Sequence, residues 1–256
     1  MPKNNWTREE LILAFYWYCT KIPFTKIKYT KQEVIELAHL VGRTPSAAAF
    51  KLVNFARLDP ALQQRGVKGM SHGGDAEKPI WDEFHSNWNE LTFVAEKIIA
   101  ERKKISIEQV SEIETADLPK EGREREALVK VRVNQKFFRR TVFISFNNKC
   151  CITGLSIPEL LVASHIVPWS KDLKQAANPE NGLCLNALHD KAFDRGLLTI
   201  SKDLNVILSH RLLNDKKNEI VQRFFLPYHE KEIIKPHRFL PNVNFLRYHL
   251  ENIFIH

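Results

Sequence analysis

Residues 150–196 read CCITGLSIPELLVASHIVPWSKDLKQAANPENGLCLNALHDKAFDRG, and this stretch decides the fold of the second half of the chain. LLVASHIVP is rich in β-forming residues and ends at Pro168, as a strand running into a loop does. Asn181-Gly182 gives a turn, LCL a second short strand, and NALHDKAFDRG a helix stopped by Gly196. The predicted unit is therefore β-β-α, with His165 near the end of the first strand and acidic groups on the helix. Asp190 and Asp194 stand at i and i+4, so their carboxylates share one helical face and can approach one cation. His189 adjoins Asp190 in sequence but lies about 100° away around a helix. An imidazole, a turn asparagine and paired carboxylates in this order can set one general base and one divalent ion against a phosphate.

Working outward, VRVNQKFFRRTVFISFNNKCC predicts a helix over 134–146, a turn at Asn147-Asn148 and a short strand. Phe137, Phe138, Val142, Phe143 and Phe146 fall at helical spacing and form a core face. Arg139 and Arg140 lie away from it and are candidate phosphate contacts. Downstream, LLTISKDLNVILS reads as strands joined by a turn containing Asp203, followed by helix, turn and a last helix. Phe224, Phe225, Phe245 and Leu246 are expected to pack in this domain, which spans 133–256. Residues 101–132 are dominated by charge and read as a linker, broken at Pro119 and Gly122.

Residues 1–100 read as a compact helical domain. Thr7 and Glu10 form a capping-box pair at the start of the first helix. KQEVIELAHLVGRTPSAAAFKLVNFARLDP then predicts a helix, a C-cap at Gly42 and a second helix opened by Thr44 and Pro45. That is a helix-turn-helix pattern, whose second helix would offer Ser46, Lys51, Asn54 and Arg57 to duplex DNA. Arg65, Lys68 and His72 follow in a glycine-containing loop suited to a phosphate clamp.

Composition bounds these readings. The chain has 256 residues, 44% of them hydrophobic and 10% aromatic, enough for about two folded domains. The formal net charge of +8 favours a polyanionic partner. No apolar run approaches the ~20 residues of a membrane span, and the start turns charged before a signal-peptide core develops, so a cytoplasmic protein without membrane contact is expected. Four scattered cysteines with no C-x-x-C pair leave neither a disulfide framework nor a structural zinc site, and buried, reduced thiols are expected.

Cys150, Thr153 and Gly154, then Ser164-His165-Ile166-Val167-Pro168-Trp169, Asn178 to Leu183 and Asp190 to Gly196 together resemble the HNH (ββα-metal) endonucleases, specifically their bacterial restriction-type branch. The resemblance covers about 150–200, with order, spacing and residue types in agreement. It implies an α+β protein: a helical, DNA-binding-like N-terminal domain joined to a ββα-metal nuclease domain with flanking helices. His165 aligns with the general base and Asn181 with the residue that braces its loop. Asp190 aligns with the helix-borne metal ligand and Asp194 with a second ligand in some members. The family often carries Asp or His before the general base, where this chain has Ser164, so Ser164 would act through water or as a hydrogen-bonding residue. His189 is a further candidate ligand, and Arg195 a candidate DNA contact. The implied cofactor is one divalent ion, Mg²⁺ with Mn²⁺ as the alternative, and the implied partners are double-stranded DNA and a second copy of the chain. The implied function is a restriction or defence endodeoxyribonuclease, in one form selective for modified DNA. Alternatives are a non-catalytic DNA-binding protein on a decayed nuclease fold and a nuclease acting on RNA.

Overall fold

A computed structural model describes residues 5–66 and 75–256. It is helix-rich, with two small antiparallel sheets, and divides into two compact units: residues 1–144 with 174–178, and residues 145–173 with 179–256. This is an α+β architecture. Lys68 and His72 lie outside the described residues.

The first unit is helical: α1 (Arg8–Thr20), α2 (Gln32–Val41), α3 (Pro45–Ala56), α4 (Pro60–Gln64), α5 (Glu77–Phe84), α6 (Trp88–Lys103), α7 (Ile107–Val110) and most of α8 (Arg123–Ser145). The predicted capping box at Thr7 and Glu10 is present. Every residue of α1 from Glu10 to Thr20 is buried, so this helix forms the centre of the unit and not one wall of it. Phe15 packs on Phe55, Trp81 and Trp88, and Phe137 of α8 packs on Tyr16 and Trp88. The helix-turn-helix pattern of α2 and α3 is built as its sequence dictates. Gly42 takes the left-handed conformation (φ 67°), and the Thr44 hydroxyl caps α3 with Pro45 in the first turn.

The charged segment 101–132 is not a linker. It completes α6, forms α7 and begins α8, and Ile113, Leu118, Val129 and Val133 bury a small cluster of their own. Helix α8 accordingly starts at Arg123, well before the predicted 134, because REREALVKVRV is a good helix former whose apolar residues meet this cluster.

In the second unit, β1 (Leu161–His165) pairs antiparallel with β2 (Gly182–Asn186), which leads directly into α9 (Ala187–Asp194). This is the predicted β-β-α unit. A second sheet of β3 (Leu198–Ile200) and β4 (Val206–Leu208) follows, then α10 (His210–Asn214), α11 (Glu219–Phe224) and α12 (Val243–Asn252). Cys150 and Cys151 sit in a turn and not a strand, closed by Gly154 N–H to Cys150 O (2.8 Å) and Cys150 N–H to Leu155 O (2.8 Å). All four cysteines are buried and none is in a disulfide. Phe225 and Leu246 are buried as expected, Phe245 is half-buried, and Phe224 is exposed. Among the described residues no helix is long and apolar enough to cross a membrane.

Candidate active site

The register of the hairpin places the site. Leu161 faces Asn186 across the ladder and His165 faces Gly182, so His165 ends β1 where β2 begins. Just beyond the ladder, the Ile166 N–H donates to the Asn181 carbonyl (2.9 Å). The Asn181 side chain then grips the next residue twice: its Oδ1 accepts from Val167 N–H (2.8 Å), and its Nδ2 donates to the Val167 carbonyl (3.0 Å). Asn181 is fully buried. A primary amide supplies one donor and one acceptor in this way at any pH, which a carboxylate of the same size does not. The chain leaving His165 is thereby fixed in direction.

Helix α9 divides into three sectors. His189, Ala192 and Phe193 are buried. Asp190 with Asp194 and Lys191 with Arg195 form two rows turned the other way, one acidic and one basic, each at i and i+4. Both rows line an open cleft of about 550 Å³ together with Ser164, His165, Pro168 and Trp169. Burial, and then the neighbouring Asp190 carboxylate, push the Asp194 carboxyl above its ordinary range, against the opposing pull of Lys191 and Arg195. The Ser164 hydroxyl is buried and has no hydrogen-bond partner among the described residues.

A cation fits these donors. The raised Asp194 carboxyl, beside Asp190, gains from a positive ion between them, and a buried hydroxyl lacking a partner can turn a lone pair towards it. Among the described residues, however, no group of three or more His, Cys, Asp or Glu side chains could hold a metal. The carboxylates stand as a pair.

His189 is not part of that pair. It is buried, its Nε2 lies 2.7 Å from the Phe224 carbonyl, and its Nδ1 lies 3.1 Å from Asn186 Nδ2. A carbonyl only accepts, so Nε2 carries the proton and Nδ1 accepts from the amide. The rings of Phe225 and Tyr228 close over it edge-on. Its expected metal role is therefore corrected: the 100° offset from Asp190 turns it into the core, and both nitrogens are used there.

Most of the expected DNA contacts in the first unit also turn inward. Lys51 pairs with the buried Glu77 at 2.5 Å, and Asn54, itself buried, donates to the same carboxylate at 3.0 Å. Arg57 pairs with Asp75 at 3.5 Å. Arg140 lies against Glu96 (3.7 Å) and Glu112 (3.3 Å), so it closes a buried polar cluster with Tyr16 and Ser111 and does not present itself to phosphate. Arg139 is exposed and lies over the Phe143 ring, 4.3 Å from its centroid. Ser46 is exposed on α3.

Lys191 and Trp169 of the cleft are additions that sequence reasoning missed. The signal for Lys191 was available, since it stands four residues before Arg195 on the same helix.

The hairpin thus delivers a histidine to the edge of a cleft, and the helix presents paired carboxylates to the same cleft. Residues 150–201 match the family model described as HNH endonuclease. The chain thus carries an HNH endonuclease domain, a family whose members use a divalent metal ion, and this supports a nuclease hydrolase. No curated protein matches the chain.

Proposed function

We propose that the chain is a metal-dependent HNH-type endodeoxyribonuclease that hydrolyses phosphodiester bonds in double-stranded DNA. The observation that carries this reading is the opening of His165 and the Asp190–Asp194 pair onto one cleft. The His165 imidazole takes the proton of the attacking water, which an ordinary histidine can do near neutral pH. Asn181 holds the backbone beyond His165 and so sets the direction of attack. Asp190 and Asp194, with Ser164 directly or through water, hold the cation. Mg²⁺ or Mn²⁺ suits their hard oxygens, and when bound it stabilises charge on the leaving oxygen. Lys191 and Arg195 meet the non-bridging phosphate oxygens, keeping the substrate strand beside the acidic row.

One such site cuts one strand, so double-strand cutting calls for two copies, and we assign a homodimer. The family resemblance supports a restriction or defence role, with selection of modified DNA as its most specific form, in the cytoplasm. An intact cleft containing both the base and the paired carboxylates favours catalysis over a decayed, DNA-binding relic.

Plasmid incubated with Mg²⁺, Mn²⁺ or EDTA, modified and unmodified, beside a His165→Ala variant, tests the proposal. Cation-dependent nicking lost in the variant is expected. Absence of cutting on every substrate refutes the enzyme, and equal cutting by His165→Ala refutes the base.

A further inference from the structure

On the inner side of α9, two pairs of residues with the same spacing meet. Cys150 and Thr153 are separated by two residues in the turn before β1, and Asn186 and His189 by two residues at the start of α9. Asn186 Nδ2 lies 3.4 Å from Thr153 Oγ1 and 3.1 Å from His189 Nδ1. Asn186 Oδ1 accepts from the His189 N–H at 2.9 Å, capping the helix. Burial raises the Cys150 thiol, and the neighbouring His189 and Thr153 side chains outweigh it and bring its pKa down to about 7. Asn186 thus joins the two pairs through Thr153, and the Cys150 thiol feels His189 beside it. Two pairs of residues at x₂ spacing, one on a tight turn and one at a helix start, is the layout with which proteins build tetrahedral Cys/His zinc sites. Here two of the four corners are Thr and Asn, which are poor zinc ligands, and hydrogen bonds occupy the centre.

We propose that Cys150, Thr153, Asn186 and His189 form a metal-free clasp with the layout of a tetrahedral zinc site, and that this clasp is the positioning device for α9. The backbone supports it from both sides. Cys151 N–H donates to the Cys184 carbonyl (2.7 Å), tying the turn to β2, and Ile234 N–H donates to the Cys151 carbonyl (2.7 Å). Gly154, at φ +74°, closes the turn where a side chain would be strained. His189 precedes Asp190 by one residue, so rotation of the first turn of α9 moves both carboxylates of the cleft together. His189 is then a positioning residue, acting through the helix and never touching the phosphate. The inference about layout stands apart from the nuclease reading; the inference about positioning rests on it.

The test converts the clasp back into a metal site. The full-length Thr153→Cys/Asn186→Cys variant places three thiols and one imidazole at the corners. It is expected to bind one Zn²⁺ per chain and to give the intense visible spectrum of tetrahedral Co²⁺ when cobalt replaces zinc. The single variant Thr153→Cys keeps the helix cap and serves if the double variant folds poorly without metal; it is expected to bind zinc more weakly. A folded protein that takes up no metal in either variant, or that binds Co²⁺ octahedrally, overturns the layout. For positioning, Asn186→Cys alone is expected to lower kcat roughly 10–100-fold, the range seen for residues that orient ligands from behind. DNA affinity measured in the His165→Ala background is expected to stay constant. Adding Thr153→Cys and zinc is expected to restore kcat. Zinc bound without recovery, where the wild type cuts DNA, overturns the positioning role. A wild type that cuts nothing overturns the nuclease reading while the zinc titration still decides the layout.

Discussion

Replacing Asn181 by Asp changes one atom and tests the brace beside His165. The amide now gives Nδ2–H to the Val167 carbonyl at 3.0 Å and takes the Val167 N–H at 2.8 Å, in a place with no solvent exposure. A neutral carboxylic acid can make both bonds. A carboxylate cannot: it keeps the accepted bond but turns a second negative oxygen towards the carbonyl. The ionised form is therefore penalised by burial and by that carbonyl, and the folded-state pKa of the introduced group rises above its unfolded value of ~3.9. Its sign follows from linkage. Below ~pH 4 the group is protonated in both states and Asn181→Asp costs little; above that the deficit grows by about 1.4 kcal/mol per pH unit until the folded pKa is passed. For a rise of about three units, common at fully buried sites, the deficit levels near 4 kcal/mol around pH 7. Urea denaturation of wild type and variant at several values between pH 4.5 and 8 reads the difference. A deficit that does not change with pH refutes the assigned donor and acceptor, because only the carbonyl-facing atom differs between the two proteins.

Three further outcomes follow from buried groups elsewhere. Arg140→Met strands the buried Glu96 carboxylate with only hydroxyl partners, so the first unit is expected to lose about 3–5 kcal/mol in chemical denaturation while DNA affinity of the folded protein is unchanged; a selective loss of affinity would restore Arg140 as a phosphate contact. Gly196→Ala adds a Cβ 2.0 Å from the Ile253 carbonyl oxygen at a backbone φ of +67°. It should cost roughly 2–5 kcal/mol in the full chain and about 1–2 when residues 253–256 are also deleted, since only the left-handed strain then remains. Burial lowers the His249 pKa to about 4, against the opposing effect of the Phe193 carbonyl. A ring held neutral contributes stability that is complete above the unfolded pKa of ~6.5 and falls by about 3 kcal/mol as pH drops to 4; His249→Gln is expected to flatten that part of the stability–pH curve, measured by urea midpoints.

What the sequence disclosed and what it hid differ by the range of the interaction involved. Strand, turn and helix in 150–196 depend on residues within a few positions, whereas the brace at Asn181, whose bonds reach Val167 fourteen residues away, was expected from the family resemblance and not from local pattern. Lys51 and Asn54 were misjudged because their partner, Glu77, comes from another helix, and nothing in α3 announces a buried carboxylate opposite. The 101–132 segment was misjudged for a different reason: charge was taken as a sign of linker, yet three well-spaced apolar residues, joined by Val133, suffice to bury one side of it. His189 was half legible. Its direction away from Asp190 follows from helix geometry, whereas its destination required recognising that N-x-x-H answers C-x-x-T.

The outward rows of α9 draw their precision from its inward ones. A helix of eight residues has no stability of its own in water. At its start the helix is held by the Asn186 cap, which also reaches Thr153, and by His189 on the Phe224 carbonyl. At its end, His249 stacks on Phe193 with ring centroids 3.7 Å apart and reaches the Phe193 carbonyl at 3.1 Å, while Gly196 admits the carbonyl of Ile253. Phe193 lies one residue before Asp194, as His189 lies one before Asp190, so each carboxylate follows a residue anchored in the core. That pairing of anchor and carboxylate allows like charges to be held side by side without the helix turning to separate them. It also places the cost of the arrangement in the carboxylates themselves, where the raised pKa of Asp194 records it and a cation would relieve it.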